Sequence, residues 1–246
     1  MLSMDWGDDR SEKPEPLSHR EEVMSVLAHD LRASVADVHT AIGDALGLLR
    51  PTADPDAIAL LEDAELSIGR VVNTVWSMLH VAQSGAGTLA TDSVPLASLL
   101  PRIIDRYQRP AKAKQIEIRI SGAPDLLPWI KGDGTLLAVI LDNLLSNAVK
   151  YSPPGGTIYV NVRQADSTVD IEIADQGCGI PDHEQAALFI RPGRLSPVPT
   201  AGEHSMGLGL HLSARLAKRM DASISYQPGE HGGSVFVLHC PSSDGI

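Results

Sequence analysis

Two stretches near the N-terminus repeat apolar residues at steps of three and four, and neither can bury its stripe alone. In the first, Val23, Leu27, Leu31, Val35, Val38, Ile42, Leu46 and Leu49 share one helical face. Ser18, with Glu21 three residues on, forms a capping box that starts this helix. Pro51-Thr52-Ala53-Asp54-Pro55 breaks it and opens a second helix. There Ile58, Leu61, Ile68, Val72, Val75, Leu79 and Ala82 keep the alternation, with Glu65 its polar exception. A 3.5-residue period is the seam of a left-handed bundle. The economical way to close such a core is a homodimer in which two hairpins make a four-helix bundle about a two-fold axis.

His29 lies on the first of these helices, in Val-Leu-Ala-His-Asp-Leu-Arg (26–32). At roughly 100° per residue it sits about 160° from the centre of the apolar stripe, on the outer face. Asp30 follows directly and Arg32 soon after. This is how a helix presents a nucleophilic nitrogen to another protein. The plain alternative is a solvated surface residue, because the chain holds nine histidines.

The chain of 246 residues, 43% hydrophobic, is long enough for one large domain or two modest ones. Residues 1–17 are acidic, polar and proline-bearing, and read as a disordered tail. The helical hairpin then occupies 18–83, a flexible Gly/Ser/Thr linker 84–93, a second domain 94–241 and a short tail 242–246. No apolar run reaches transmembrane length and the N-terminus is no signal peptide, so a cytoplasmic chain without direct membrane insertion is expected. A net charge of −11 argues against nucleic acid as a partner. Two cysteines, Cys178 and Cys240, supply neither a disulfide framework nor a metal cluster.

In the second domain helices are expected at Leu96–Tyr107, Gly134–Tyr151 and Leu208–Met220. Strands are expected at Ile116–Ile120, Leu126–Ile130, Thr157–Arg163, Val169–Ala174, Ser223–Tyr226 and Ser234–His239. Their irregular alternation predicts an α+β sandwich with helices on one face of a mixed sheet. Four segments together suggest a nucleotide site. The 134–151 helix, the most apolar of the chain, carries Asn143, Asn147, Lys150 and Tyr151 at i, i+4, i+7 and i+8. Amide oxygens suit a hard Mg²⁺ that also binds phosphate, and Lys150 adds a point charge. Asp175-Gln-Gly177-Cys-Gly179 follows a strand, where a carboxylate can accept an exocyclic amine and the glycines admit a base closely. Gly207-Leu-Gly209-Leu opens a helix whose free N–H groups could meet phosphates. Between them, 191–205 is long and rich in proline and glycine, which suits a mobile lid.

In this order and spacing the motifs resemble bacterial sensor histidine kinases. Those have a dimerisation and histidine-phosphotransfer domain followed by a catalytic ATP-binding domain of the gyrase/Hsp90/histidine kinase/MutL type. His29-Asp30-Leu31-Arg32 resembles the phosphoacceptor box, Asn143 through Ser152 the asparagine box, Asp175 through Ile180 and Gly207 through Leu210 the two glycine boxes. Leu188-Phe189 through Arg194 resembles the phenylalanine box, and Gly232-Gly233-Ser234 with the final strand the family's ending. The resemblance implies that His29 attacks the γ-phosphate of ATP, with Asp30 orienting or deprotonating it. It implies that Asn147 and Asn143 ligate Mg²⁺ and that Lys150, Tyr151 and Arg194 contact phosphates. Asp175 is then the adenine contact, and Gly177, Gly179, Gly207 and Gly209 line the pocket. The implied partner is the receiver domain of a response regulator, beside the second copy of the chain expected from the heptad pattern. The input could come from a separate sensor or input protein, from the acidic N-terminal tail or from a region outside this sequence.

Three departures from the family pattern stand out. Ala33 replaces the Thr or Asn that holds an attacking water, which predicts weak or absent regulator phosphatase activity. Ser34 replaces the usual proline, which predicts a softer bend. Ser205 replaces the first glycine of the second glycine box and Met206 follows it, which predicts altered lid closure. Cys178, inside the first glycine box, is expected to be a small buried thiol. The rival reading is a degenerate kinase serving as a dimeric phosphotransfer hub or scaffold. Retention of Asn147, Asp175, Gly177 and Gly179 favours the enzyme, because a hub has no need of such a pocket.

Overall fold

The computed structural model describes residues 92–121, 127–191, 193, 195–200, 207–229 and 232–243, plus single helical positions at Ala57, Ala64 and Ile68. The hairpin expected over 18–83, with His29, Asp30, Ala33 and Ser34, falls outside them apart from those three positions. Arg194, Ser205 and Met206 also lie outside the described residues.

The strands are β1 (Asp92–Pro95), β2 (Glu117–Ser121), β3 (Trp129–Gly132), β4 (Thr157–Ala165), β5 (Thr168–Ala174), β6 (Ser223–Pro228) and β7 (Ser234–Ser243). The helices are α1 (Leu96–Ala113), α2 (Gly134–Tyr151), α3 (Asp182–Gln185) and α4 (Gly209–Arg219). The strands form one mixed sheet in the order β1-β3-β7-β5-β4-β2, with β6 also on β7; β2 runs parallel to β4 and every other pair is antiparallel. Helices α1 and α4 pack on either side of α2.

Alternation along the strands sorts side chains between two faces. Ile158, Val160, Val169, Ile171, Ile173, Phe236, Leu238 and Cys240 are buried in the core that the helices share. Burial pushes the Cys240 thiol up to about 12, with Asp170 adding to the effect, so it stays protonated. The opposite face is polar. Asn161 donates to Glu172 at 2.7 Å, and His239 lies between Asp170 (2.7 Å) and the Ser225 hydroxyl (2.8 Å).

The central place of α2 explains its composition. Eleven of its eighteen residues are buried, and Asn143, Asn147, Lys150 and Tyr151 fall on a partly exposed strip. Its N-terminus is capped by Asp133, whose carboxylate accepts from Thr135 N (2.7 Å) and Leu136 N (3.1 Å). At the other end Lys114 donates to the carbonyls of Val149 (2.8 Å) and Lys150 (3.1 Å), groups that a helix end leaves without partners. Arg106 pairs with Asp142 at 3.0 Å, and the Tyr107 hydroxyl donates to the Asp142 carbonyl at 3.2 Å. These two contacts fix α1 against the turn of α2 that bears Asn143.

Several boundaries differ from expectation. Helix α1 runs to Ala113, six residues beyond Tyr107, through Pro101 and Pro110, because its last turn buries Ala111 completely. Strand β1 begins at Asp92, inside the expected 84–93 linker, because β3 gives it a pairing partner. Strand β3 starts at Trp129, one residue after Pro128, which has no N–H for a ladder. The expected tail 242–246 overlaps β7, whose Ser242 and Ser243 pair with Ile130 and Trp129. The short α3 had no counterpart in the sequence reading.

Candidate nucleotide-binding site

The site lies where the ends of β5 and β7 meet α2 and the start of α4. Asp175 follows the last residue of β5 and is 7% exposed. Its Oδ1 accepts from the backbone N–H of Gly177 (2.8 Å) and of Ser234 (3.2 Å), while its own N–H donates to the Ser234 carbonyl (2.9 Å). Burial pushes the carboxyl up to about 6, against the opposing pull of the hydrogen bonds from Gly177 and Ser234. Such a group, held on one oxygen and short of water, is suited to accept an amine.

The glycine segments close around this carboxylate. A Cβ on Gly177 would sit 2.6 Å from the Tyr151 carbonyl oxygen, so the first glycine turn lies against the end of α2. Gly179 packs against Gly233, and Ile180 N donates to the Tyr226 hydroxyl at 3.1 Å, with the Tyr226 ring tilted against Phe236. At the start of α4, Gly209 packs so tightly on Asn143 that a Cβ would lie 2.1 Å from its Oδ1. Asn143 Nδ2 donates to the Ser213 hydroxyl at 2.9 Å. Gly207 accepts from Gly193 N at 3.0 Å, which joins the two ends of the 193–207 excursion.

The structure therefore brings Asn143, Tyr151, Asp175, Gly177, Gly179, Gly207 and Gly209 into one neighbourhood. Asn147 and Lys150 occupy the same strip of α2, one and two turns on from Asn143. Cys178, expected to be buried, is exposed in the turn between Gly177 and Gly179, with its Sγ 3.7 Å from the Gly179 carbonyl oxygen. Among the described residues no group of three or more His, Cys, Asp or Glu side chains could hold a metal. A cation here would rest on amide oxygens and on the oxygens of its ligand, a donor set that fits Mg²⁺.

Sequence reasoning missed the ties that hold the stretch expected to be a lid. Glu184 accepts from the backbone N–H of Ser196 (3.0 and 3.1 Å) and, through a short bond, from its hydroxyl. These bonds hold the Glu184 carboxyl below its usual range. Thr200 donates through N and Oγ1 to Lys150 O (both 3.0 Å) and through Oγ1 to Ser152 O (2.8 Å). Residues 195–200 are thus fastened at two points. Glu184→Gln is expected to speed amide exchange over 195–200 by about threefold to tenfold while leaving α2 unchanged. The wild-type fastening should also loosen as pH falls through the depressed carboxyl range. Equal exchange in wild type and variant at neutral pH would count against this tie.

A carboxylate beneath a glycine turn, beside an amide-bearing helix, is the geometry of a candidate nucleotide site. Residues 132–244 match the family of histidine kinase-, DNA gyrase B-, and HSP90-like ATPases. Over 238 residues the chain is 29% identical to the adaptive-response sensory kinase SasA of Synechococcus sp. (strain JA-3-3Ab), covering 95% of this chain and 62% of the relative. It is 27% identical over 239 residues to the sensor-like histidine kinase SenX3 of Mycolicibacterium smegmatis, covering 95% and 60%. The chain therefore spans about three-fifths of the length of these curated relatives. Full-length ShkA in complex with AMPPNP superposes with a TM-score of 0.60 at 25% identity, covering 91% of this chain and 46% of that one. The mycobacterial sensor histidine kinase MprB shares the fold, with a TM-score of 0.53 at 24% identity over 62% of this chain and 98% of that one. The ATPase-type match over residues 132–244 and the kinase relatives that match along 95% of the chain support a histidine kinase transmitter region. No helix among the described residues is long and apolar enough to cross a membrane.

Proposed function

We propose that this chain is a two-component histidine kinase that autophosphorylates His29 from Mg-ATP and passes the phosphoryl group to an aspartate of a response-regulator receiver domain. The observation that carries the reading is the buried Asp175 carboxylate, held on one oxygen by Gly177 and Ser234 and facing the glycine turns. The relationship to ShkA, solved with AMPPNP, supports a nucleotide in this place. In this reading Asp175 accepts the adenine amine, and Gly177, Gly179, Gly207 and Gly209 shape the pocket. Asn147 and Asn143 hold Mg²⁺, which neutralises phosphate charge when bound, while Lys150, Tyr151 and Arg194 meet the phosphates.

The transfer forms a bond from a ring nitrogen of His29 to the γ-phosphorus as the bond from that phosphorus to the β–γ bridging oxygen breaks and ADP leaves. Asp30 takes or shares the proton of the other ring nitrogen. The helical hairpin of residues 18–83 would present His29 from a homodimeric four-helix bundle, after a tail at 1–17 and before the linker to the catalytic domain at 94–241. The exposed apolar residues Ile190 and Val198 offer that bundle a contact beside the site. Ala33 leaves no side chain to hold a hydrolytic water, so regulator phosphatase activity is weak or absent. A cytoplasmic location and an input from a separate sensor protein complete the reading.

Incubation with γ-labelled ATP and Mg²⁺ is expected to give acid-labile, base-stable label on the chain, and His29→Gln to reduce it to background. Label that persists in the variant, or none in the wild type, would sink the autokinase reading. Phosphorylated regulator should keep its phosphate when the chain is added; rapid loss would contradict the role given to Ala33.

A further inference from the structure

Ser213 lies on the buried side of α4 beside Leu212, Leu216 and Ala217, and is 2% exposed. A polar side chain in such company needs a partner, since an unpaired buried hydroxyl loses its hydrogen bonds to water with nothing in return. Its partner is the Asn143 amide nitrogen at 2.9 Å. The other end of the same amide, Oδ1, rests against Gly209 at the first turn of α4. The amide is therefore gripped at both ends by one helix. Turned over, it would press two N–H groups against the Cα of Gly209, which offers them no acceptor.

We propose that Ser213 is a positioning residue for the phosphate end of the nucleotide site. By holding the Asn143 nitrogen it turns the Asn143 oxygen toward the start of α4. An amide oxygen only accepts, so it repels phosphate oxygens and attracts a cation that bridges them. Ser213 thus favours a metal-loaded nucleotide over a bare one without touching either. This inference rests on the nucleotide-binding reading above.

The test is calorimetric titration of the full chain with AMPPNP, once with Mg²⁺ and once with EDTA. Ser213→Ala is expected to weaken Mg-dependent binding about threefold to tenfold and to change metal-free binding by less than about twofold. In an Asn143→Ala background the same substitution should cost nothing further, because its route runs through that amide. Should Ser213→Ala fail to fold, Ser213→Cys, nearly isosteric but a weak acceptor, carries the same expectation. Wild-type affinity in the variant, equal losses with and without Mg²⁺, or a full additive loss in the Asn143→Ala background would each overturn the role. A wild-type chain that binds no nucleotide would instead overturn the underlying reading, and the inference with it.

Discussion

Asp175→Asn is expected to make the nucleotide-free protein more stable while weakening nucleotide binding about thirtyfold or more. The stability half follows from burial. In the fold the Asp175 carboxyl is pushed up to about 6 from 3.8. A carboxyl with a raised folded pKa contributes stability that is complete below pH 3.8 and is lost as pH rises to about 6. Above that pH the native state carries an ionised group that burial disfavours, a cost of about 1–3 kcal/mol. Asparagine has no charge to bury, and its oxygen still accepts from Gly177 and Ser234.

The binding half has the opposite sign. An asparagine that keeps its oxygen on those N–H groups turns its NH₂ toward the adenine amine, donor against donor. A buried mismatch of this kind costs about 2–3 kcal/mol, or roughly thirtyfold to a hundredfold in affinity. Wild-type affinity should itself fall as pH drops below about 6, because the acceptor becomes protonated. Melting curves from pH 4 to 7 and calorimetric titration check both halves. The wild type should lose stability relative to the variant across pH 4–6. A variant with unchanged affinity would remove Asp175 from base recognition.

Gly233→Ala is expected to destabilise the domain by roughly 3 kcal/mol or more and to abolish nucleotide binding. Its φ is +83°, and an added Cβ would lie 2.1 Å from the Asp175 carbonyl oxygen and 2.8 Å from its carbon. Both obstacles are backbone, so no rotamer change relieves them. The ends of β5 and β7 would have to part where they hold the carboxylate. Gly155→Ala provides the control: φ is +78°, but nothing lies within 4 Å of its Cβ. That change should cost only local backbone strain, about 1 kcal/mol. Urea denaturation of the three proteins separates the cases, and a Gly233→Ala variant as stable as Gly155→Ala would refute the clash.

Residues whose role is set by periodicity could be read from the chain. Helix α2 has the expected bounds, Gly134–Tyr151, because an eighteen-residue apolar run with an Asp cap and a Pro-Pro-Gly-Gly stop leaves little choice. Strands β5 and β6 fall within two residues of expectation; β5 alternates against one buried face, and β6 packs Ile224 and Tyr226 against the same core. What stayed hidden depends on partners distant in sequence. Asp-Ser-Val-Pro is no strand by composition and becomes one only beside β3. The motif spacing that runs from Asn143 to Gly209 is legible in the chain, and the structure brings several of those residues together, but the ties of Ser196 and Thr200 left no such pattern. Their hydrogen bonds cross 12 and about 50 positions of chain, and no local pattern encodes them. Ser213 did leave a signal, a lone hydroxyl on the apolar side of α4 four residues after Gly209.

The last described strand, β7, pairs with β3, β5 and β6, and its first residue supplies an N–H to Asp175. During synthesis the chain therefore makes the Asp175 carboxylate long before the strand that holds it. Until Ser234–Ser243 arrives, β5 presents an open edge and β6 has no neighbour. On the proposed reading, nucleotide competence is then a late, all-at-once acquisition, gained when one strand inserts, and a nascent chain stopped before it has the motifs without the site's geometry.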